Sequence, residues 1–124
     1  MEANNRNKRE ILEDRLIDFT IDVNNLIENL PNTNLGRTLS GQLSRSSTSP
    51  TLNYGEAQAA ESTKDFIHKM GICLKELRET FAGIKIIKRG KLNPDVKEIL
   101  RLREEANELI SIFVASIKTA KKRL

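Results

Sequence analysis

The 124-residue chain has one cysteine, one histidine, no tryptophan and little aromatic content (4%). The lone Cys73 excludes an intramolecular disulfide and any cysteine-based metal cluster, and a single thiol suits a reducing compartment. With one histidine, His68, no His or Glu-x-x-His pair exists to build a metal site inside a bundle. The six glycines are scattered, so no glycine-rich phosphate loop forms. No run approaches the roughly 18 apolar residues of a membrane-spanning helix. The opening MEANNRNKRE has no apolar core of a secretory signal, which makes the cytoplasm the expected compartment. Strand-like alternation and internal repeats are also missing.

What is present is charge and helical periodicity. Charged residues make up 31% and hydrophobic residues 38%, the balance of long helices that each bury one stripe. The net charge is +4, unevenly spread. Residues 1–30 hold four basic and seven acidic side chains, residues 61–124 fifteen and nine. Such a length fits one domain, here 1–124, with residues 1–8 and 123–124 expected to fray.

Four helical segments follow from the spacing. Over 7–30, Leu12, Leu16, Phe19, Val23, Leu26 and Leu30 recur at steps of three and four, and Pro31 stops the helix. Over 33–60, Leu35, Leu39 and Leu43 begin a stripe capped by Thr33 or Asn34. Tyr54, Ala57 and Glu61 resume it. Between them SRSSTSP (44–50) reads by propensity as a break over 46–52. A tightly packed helix of small residues is the rival reading.

The third segment, 62–89, buries Phe66, Met70, Cys73, Leu77, Phe81 and Ile84. Ser62 and Asp65 resemble a capping box, and Gly90 is the expected C-terminal stop. Asn93 as cap and Pro94 as first residue open the fourth helix, 94–122. Its line is Val96, Ile99, Arg103, Ala106, Ile110, Phe113 and Ile117, with only Arg103 polar. Four helices with short connections predict an all-α, antiparallel up-down-up-down bundle.

Two charged stripes stand out. Lys64, Lys75, Arg78, Lys85 and Arg89 fall within about 80° of one another on the third helix, at 100° per residue. Five cations on one rod suit a phosphate backbone; a solvated face with weak i,i+4 pairs is the plainer alternative. Lys118, Lys121 and Lys122 add charge at the end of the fourth helix. On the first helix Asp14, Asp18 and Asp22 stack at steps of four and need a cation nearby. The basic stripe of the third helix is the obvious one, within one chain or between two. Ile17, Ile21, Ile72, Ile86 and Ile112 lie off the core stripes and suggest a second apolar surface, hence self-association.

Chemistry is not expected. His68 reads as plain surface, and Cys73 on a core stripe as inert. The serines at 44–49 have no base placed by a motif. No enzyme activity, cofactor or metal is expected.

Three blocks resemble a known family. QLSRSSTSPTLNYGEA (42–57), DFIHKMGICLKELRET (65–80) and EEANELISIFVASIKTAKK (104–122) are similar to the bacterial four-helix bundle protein family. That family takes in proteins encoded in intervening sequences of large-subunit rRNA genes and the accessory variability proteins of retroelements. The resemblance spans about residues 10–122 and implies a four-helix bundle whose second helix runs through the serine-rich stretch. Pro50 and Thr51 depart from the family pattern and put a local kink in question there. The resemblance also implies homopentamers, and for the retroelement members an adaptor binding a reverse transcriptase and nucleic acid. Asn53, Tyr54 and Glu56 read as polar groups for helix–helix or subunit contacts, with Arg45 a partner for Glu56 or, less favoured, for phosphate. The expected function is therefore a non-enzymatic, oligomeric binding protein with weak RNA or DNA affinity. A protein-binding scaffold whose charges serve self-assembly is the alternative.

Overall fold

A computed structural model describes residues 7–124, and in it four helices follow one another. They are α1 (Lys8–Ile27), α2 (Asn34–Gln58), α3 (Thr63–Arg89) and α4 (Val96–Lys121). The expected fraying of residues 1–8 lies outside the described residues, except that Asn7 caps α1 and Lys8 begins it. Arg123 and Leu124 lie beyond the last helix.

Each helix begins where a side-chain oxygen can accept a backbone N–H that has no intrahelical partner. Asn7 accepts from Glu10 (2.9 Å), Thr33 from Gly36 (3.1 Å), Ser62 from Asp65 (3.0 Å) and Asp95 from Glu98 (3.2 Å). The box at α3 is not reciprocal: the Asp65 carboxylate accepts from the Glu61 N–H, one residue earlier. Asp95 replaces the expected Asn93 as the cap of α4, because Asn93 is used elsewhere. Its amide donates to the Leu26 carbonyl (3.1 Å), one of the orphan acceptors in the last turn of α1, and its oxygen accepts the Asp95 N–H (2.8 Å). Buried Asn93 thus ties the α3–α4 loop to α1.

The C-terminal ends also differ from expectation. α1 stops at Ile27, three residues short of Leu30, and Pro31, which cannot donate a helical hydrogen bond, bars its continuation. At the end of α3, Gly90 keeps a right-handed φ of −79°. The left-handed residue is Lys91, at φ 55°. The Leu92 N–H donates to the Ile87 carbonyl (3.0 Å) and the Lys91 N–H to that of Lys88 (3.2 Å), a Schellman turn with lysine where glycine is usual. Glycine serves at 90 for space: a Cβ there would stand 3.1 Å from the Ile86 carbonyl oxygen and 3.2 Å from Leu92 Cγ.

α2 runs unbroken through 44–50, against local propensity. Its small polar side chains bond to the helices on either side. Thr20 Oγ1 of α1 donates to the Ser47 carbonyl (2.6 Å), and Asn24 donates to Ser47 Oγ (3.2 Å). On the other flank Ser46 Oγ meets Thr80 Oγ1 of α3 at 2.8 Å. Pro50 lies buried inside the helix, and its carbonyl accepts from Cys73 Sγ of α3 (3.5 Å). A proline in a helix interior removes one helical bond; here packing and cross-helix bonds hold the turn.

α2 and α4 each pack against both α1 and α3, which leaves α1 and α3 on opposite corners. Leu16, Phe19, Val23, Leu43, Met70, Leu77, Ile84, Ile87, Ile99, Leu102, Leu109 and Phe113 fill the centre. Each such burial contributes about 1.5–3 kcal/mol. Tyr54 meets Phe113 edge to face, centroids 5.9 Å apart. Gly83 sits where a Cβ would strike the Leu43 side chain, so α3 and α2 approach closely. Leu35 and Val96 are exposed rather than core. On α4 the core adds Leu102 and Leu109, while Arg103 and Ile110 fall to its edge. The contact stripe is wider than one 3–4 line because α1 and α3 flank α4 on two sides.

Replacing Lys91 with glycine should remove the left-handed strain and raise stability by about 1 kcal/mol. Urea unfolding followed by circular dichroism measures it; an unchanged midpoint would show the turn is unstrained.

Candidate nucleic-acid interface

The core face of α3 looks inward, so its opposite face is set by the helical repeat alone. Lys64, Lys75, Arg78, Lys85 and Arg89 are all exposed on that outward face. Seven carboxylates of the bundle are paired with cations outside this stripe. Arg15 forks onto Glu105 (2.6 and 3.0 Å), with Glu108 at 3.9 Å. Arg45 reaches Glu76 (2.6 Å) and Glu79 (2.8 Å). Arg101 joins Asp22 (2.8 Å) and Glu98 (2.7 Å), and Lys69 joins Asp65 (3.3 Å). Among the described residues none of the five stripe cations lies within ion-pair distance of a carboxylate. Lys85 instead sits over the Phe81 ring, 4.7 Å from its centroid.

The acidic stripe does not neutralise this face within one chain. α1 and α3 are diagonal, and Asp22 is bonded to Arg101 of α4. Asp18 is exposed beside a hollow lined by Arg15, Ile21, Asp22 and Arg101; Asp14 is exposed too. Lys118, Lys121 and Lys122 are exposed at the C-terminal end of α4. That end meets the start of α3, where Arg9, Ser62, Thr63, Phe66, Ala120 and Arg123 border one hollow.

The off-stripe isoleucines divide. Ile17, Ile21 and Ile86 are exposed, while Ile72 and Ile112 are half-buried. Ile17 and Ile21 on α1 and Ile86 on α3 belong to opposite corners, so they do not form one continuous patch. Of the motif residues, Arg45, Asn53 and Tyr54 make contacts within the bundle. Arg45 bonds to Glu76, Glu79 and Gln42 rather than to Glu56, which is exposed about three turns further along α2. Asn53 donates to Ser49 of its own helix (3.0 Å), and Tyr54 is buried against Phe113. Sequence reasoning missed two cations near the stripe, Lys88 and Arg103. They line a groove of about 640 Å³ with Ala82, Lys85, Ile86, Arg89 and Gly90. The signal for Arg103 was its place as the single polar residue on an apolar line.

Among the described residues no cluster of three His, Cys, Asp or Glu side chains is placed to hold a metal, and no helix is long and apolar enough to cross a membrane. Cys73 is buried, and burial pushes its thiol up to about 12.

An antiparallel bundle of four helices with one unneutralised basic face is the class these features define. Residues 11–115 match the family model described as 23S rRNA-intervening sequence protein, and the chain belongs to that family. The fold is similar to the crystal structure of a protein of unknown function from the S23 ribosomal protein family of Bacteroides thetaiotaomicron. The TM-score is 0.80 at 28% identity, over 90% of this chain and 99% of that one. No curated protein matches the chain.

At about pH 8 the Cys73 thiol should hold on the order of a thousandfold less thiolate than an unshifted cysteine. Folded protein should therefore react with iodoacetamide only as fast as it opens, and urea should restore ordinary reactivity. Rapid alkylation of the folded chain would contradict the burial.

Proposed function

We propose that this protein is a non-enzymatic adaptor that holds the phosphate backbone of nucleic acid along α3. The observation that carries the reading is that, among the described residues, Lys64, Lys75, Arg78, Lys85 and Arg89 share one face and none is in an ion pair, while Arg15, Arg45, Lys69 and Arg101 are spent on carboxylates. Exposed cations that are already paired have little left for a ligand. Unpaired ones gain from releasing the counterions condensed on a polyanion. The stripe runs from Lys64 to Arg89, so it is about 38 Å long on a rigid rod. Lys118, Lys121 and Lys122 extend it at the bundle end where α3 begins. The family description mentions 23S rRNA, so RNA is the first ligand to test. Cytoplasmic placement belongs to the same reading.

Filter binding of RNA and duplex DNA against salt tests it. Five neutralised phosphates give a slope of about −4.5 for log K against log salt on duplex DNA, or roughly −3.5 on a single strand. Absence of binding at about 50 mM salt would sink the reading.

A second reading has its own observation: Ile17 and Ile21 are exposed together on the outward side of α1. A protein scaffold would use that face for self-assembly, with five subunits favoured, or to seat a protein partner such as a reverse transcriptase. Sedimentation equilibrium should then show an oligomer that the double change Ile17→Asp, Ile21→Asp dissociates without loss of helicity. A monomer at tens of micromolar removes this reading.

A further inference from the structure

α4 departs from its own pattern once on the side that faces α3. Every residue of the line Ile99, Arg103, Ala106, Ile110 and Phe113 is apolar except Arg103. Arg103 is half-buried, and no described residue bonds its guanidinium. By contrast Arg15, Arg37, Arg45 and Arg101 are each held by oxygen acceptors on neighbouring side chains. A guanidinium has five donors, and one that is partly withdrawn from water needs an acceptor.

Arg103 lines the groove already described, together with Lys85, Lys88 and Arg89, and no carboxylate lines it. The helix dipole accounts for Lys88 and Arg89, which occupy the last turn of α3. It does not account for Arg103, which lies in the N-terminal half of α4, where a cation gains nothing from the dipole. The groove also has no open aromatic face, since Lys85 covers the Phe81 ring. A ligand there meets cations and little to stack on. Ala82 is shared with a second hollow of about 430 Å³, lined also by Gly71, Leu74, Lys75, Arg78 and Glu79, whose carboxylate is held by Arg45 at 2.8 Å. The two hollows adjoin at Ala82 and make one furrow along α3, with Lys85, Lys88, Arg89 and Arg103 in one part and Lys75 and Arg78 in the other.

We propose that this furrow seats the phosphodiester backbone of a single nucleic-acid strand, with Arg103 forking onto one phosphate. Lys85, Lys88 and Arg89 neutralise its neighbours, and the strand runs past Ala82 toward Arg78 and Lys75. Recognition is of the backbone and tolerates any sequence, because no base-stacking platform is present. The inference rests on the proposed nucleic-acid function and assigns its principal contact to α4, outside the stripe.

The test is fluorescence polarisation of the full chain with a labelled single-stranded RNA of about 16 nucleotides, titrated against salt. Arg103→Gln should weaken binding by about tenfold or more and reduce the salt slope by about 0.7. Arg103→Lys should keep the slope and recover only part of the affinity, because lysine cannot fork. Lys88→Gln, at an exposed site that is safe for folding, should also flatten the slope. A double control, Lys8→Gln with Arg37→Gln, removes charge outside the furrow and should change affinity less than Arg103→Gln alone. If the wild type binds and the Arg103 and Lys88 variants match the control, the furrow is overturned while the nucleic-acid function stands. If the wild type does not bind, both fall.

Discussion

In the middle of the bundle the hydroxyls of Ser46 and Thr80 lie 2.8 Å apart, both out of reach of water. Ser47, one residue on, is bonded from the opposite side by Thr20 and Asn24 of α1. This layer holds α2 between its two neighbours. A serine-rich segment with a proline at 50 has poor helical propensity, so the helix persists because its polar groups are satisfied across helix–helix contacts. An unsatisfied hydroxyl at that depth would cost about 1–3 kcal/mol. The small side chains serve a second end: they let α1 and α3 each come close to α2, as Gly83 of α3 does against Leu43.

The position of α2 decides where the charges go. With α2 and α4 between them, α1 and α3 cannot meet. Arg45 from the polar layer of α2 takes Glu76 and Glu79, the carboxylates on the α2 flank of α3. Arg101 on α4 takes Asp22 of α1. What remains on the outward side of α3 is cationic and, among the described residues, outside any ion pair, and the same geometry lifts Arg103 to the mouth of the α3–α4 groove. The one-sided charge is a consequence of packing order as much as of composition.

Much of the fold was legible before any coordinates. The caps at Thr33 and Ser62, the core positions Leu16, Phe19, Met70, Leu77 and Phe113, and the bundle itself follow from periodicity and capping chemistry. Other features were not legible. Asn93 looked like a helix cap but is spent on the Leu26 carbonyl, 67 residues away in sequence. Gly90 looked like the left-handed stop, yet Lys91 takes that role because space, not backbone freedom, governs position 90. The partner of Arg45 lies on another helix, which no spacing along α2 can reveal.

The sequence alone determined four helices, their inward stripes and which cations share a face, because these follow from a repeat of 3.6 residues and from local capping. Tertiary structure decided what holds the serine-rich segment helical against its propensity, that Asp22 of the acidic stripe is bonded to α4, and that among the described residues the basic face of α3 has no carboxylate in ion-pair distance. Each of those depends on which helices stand side by side, and neighbours distant in sequence supply the hydrogen bonds and charges that settle it.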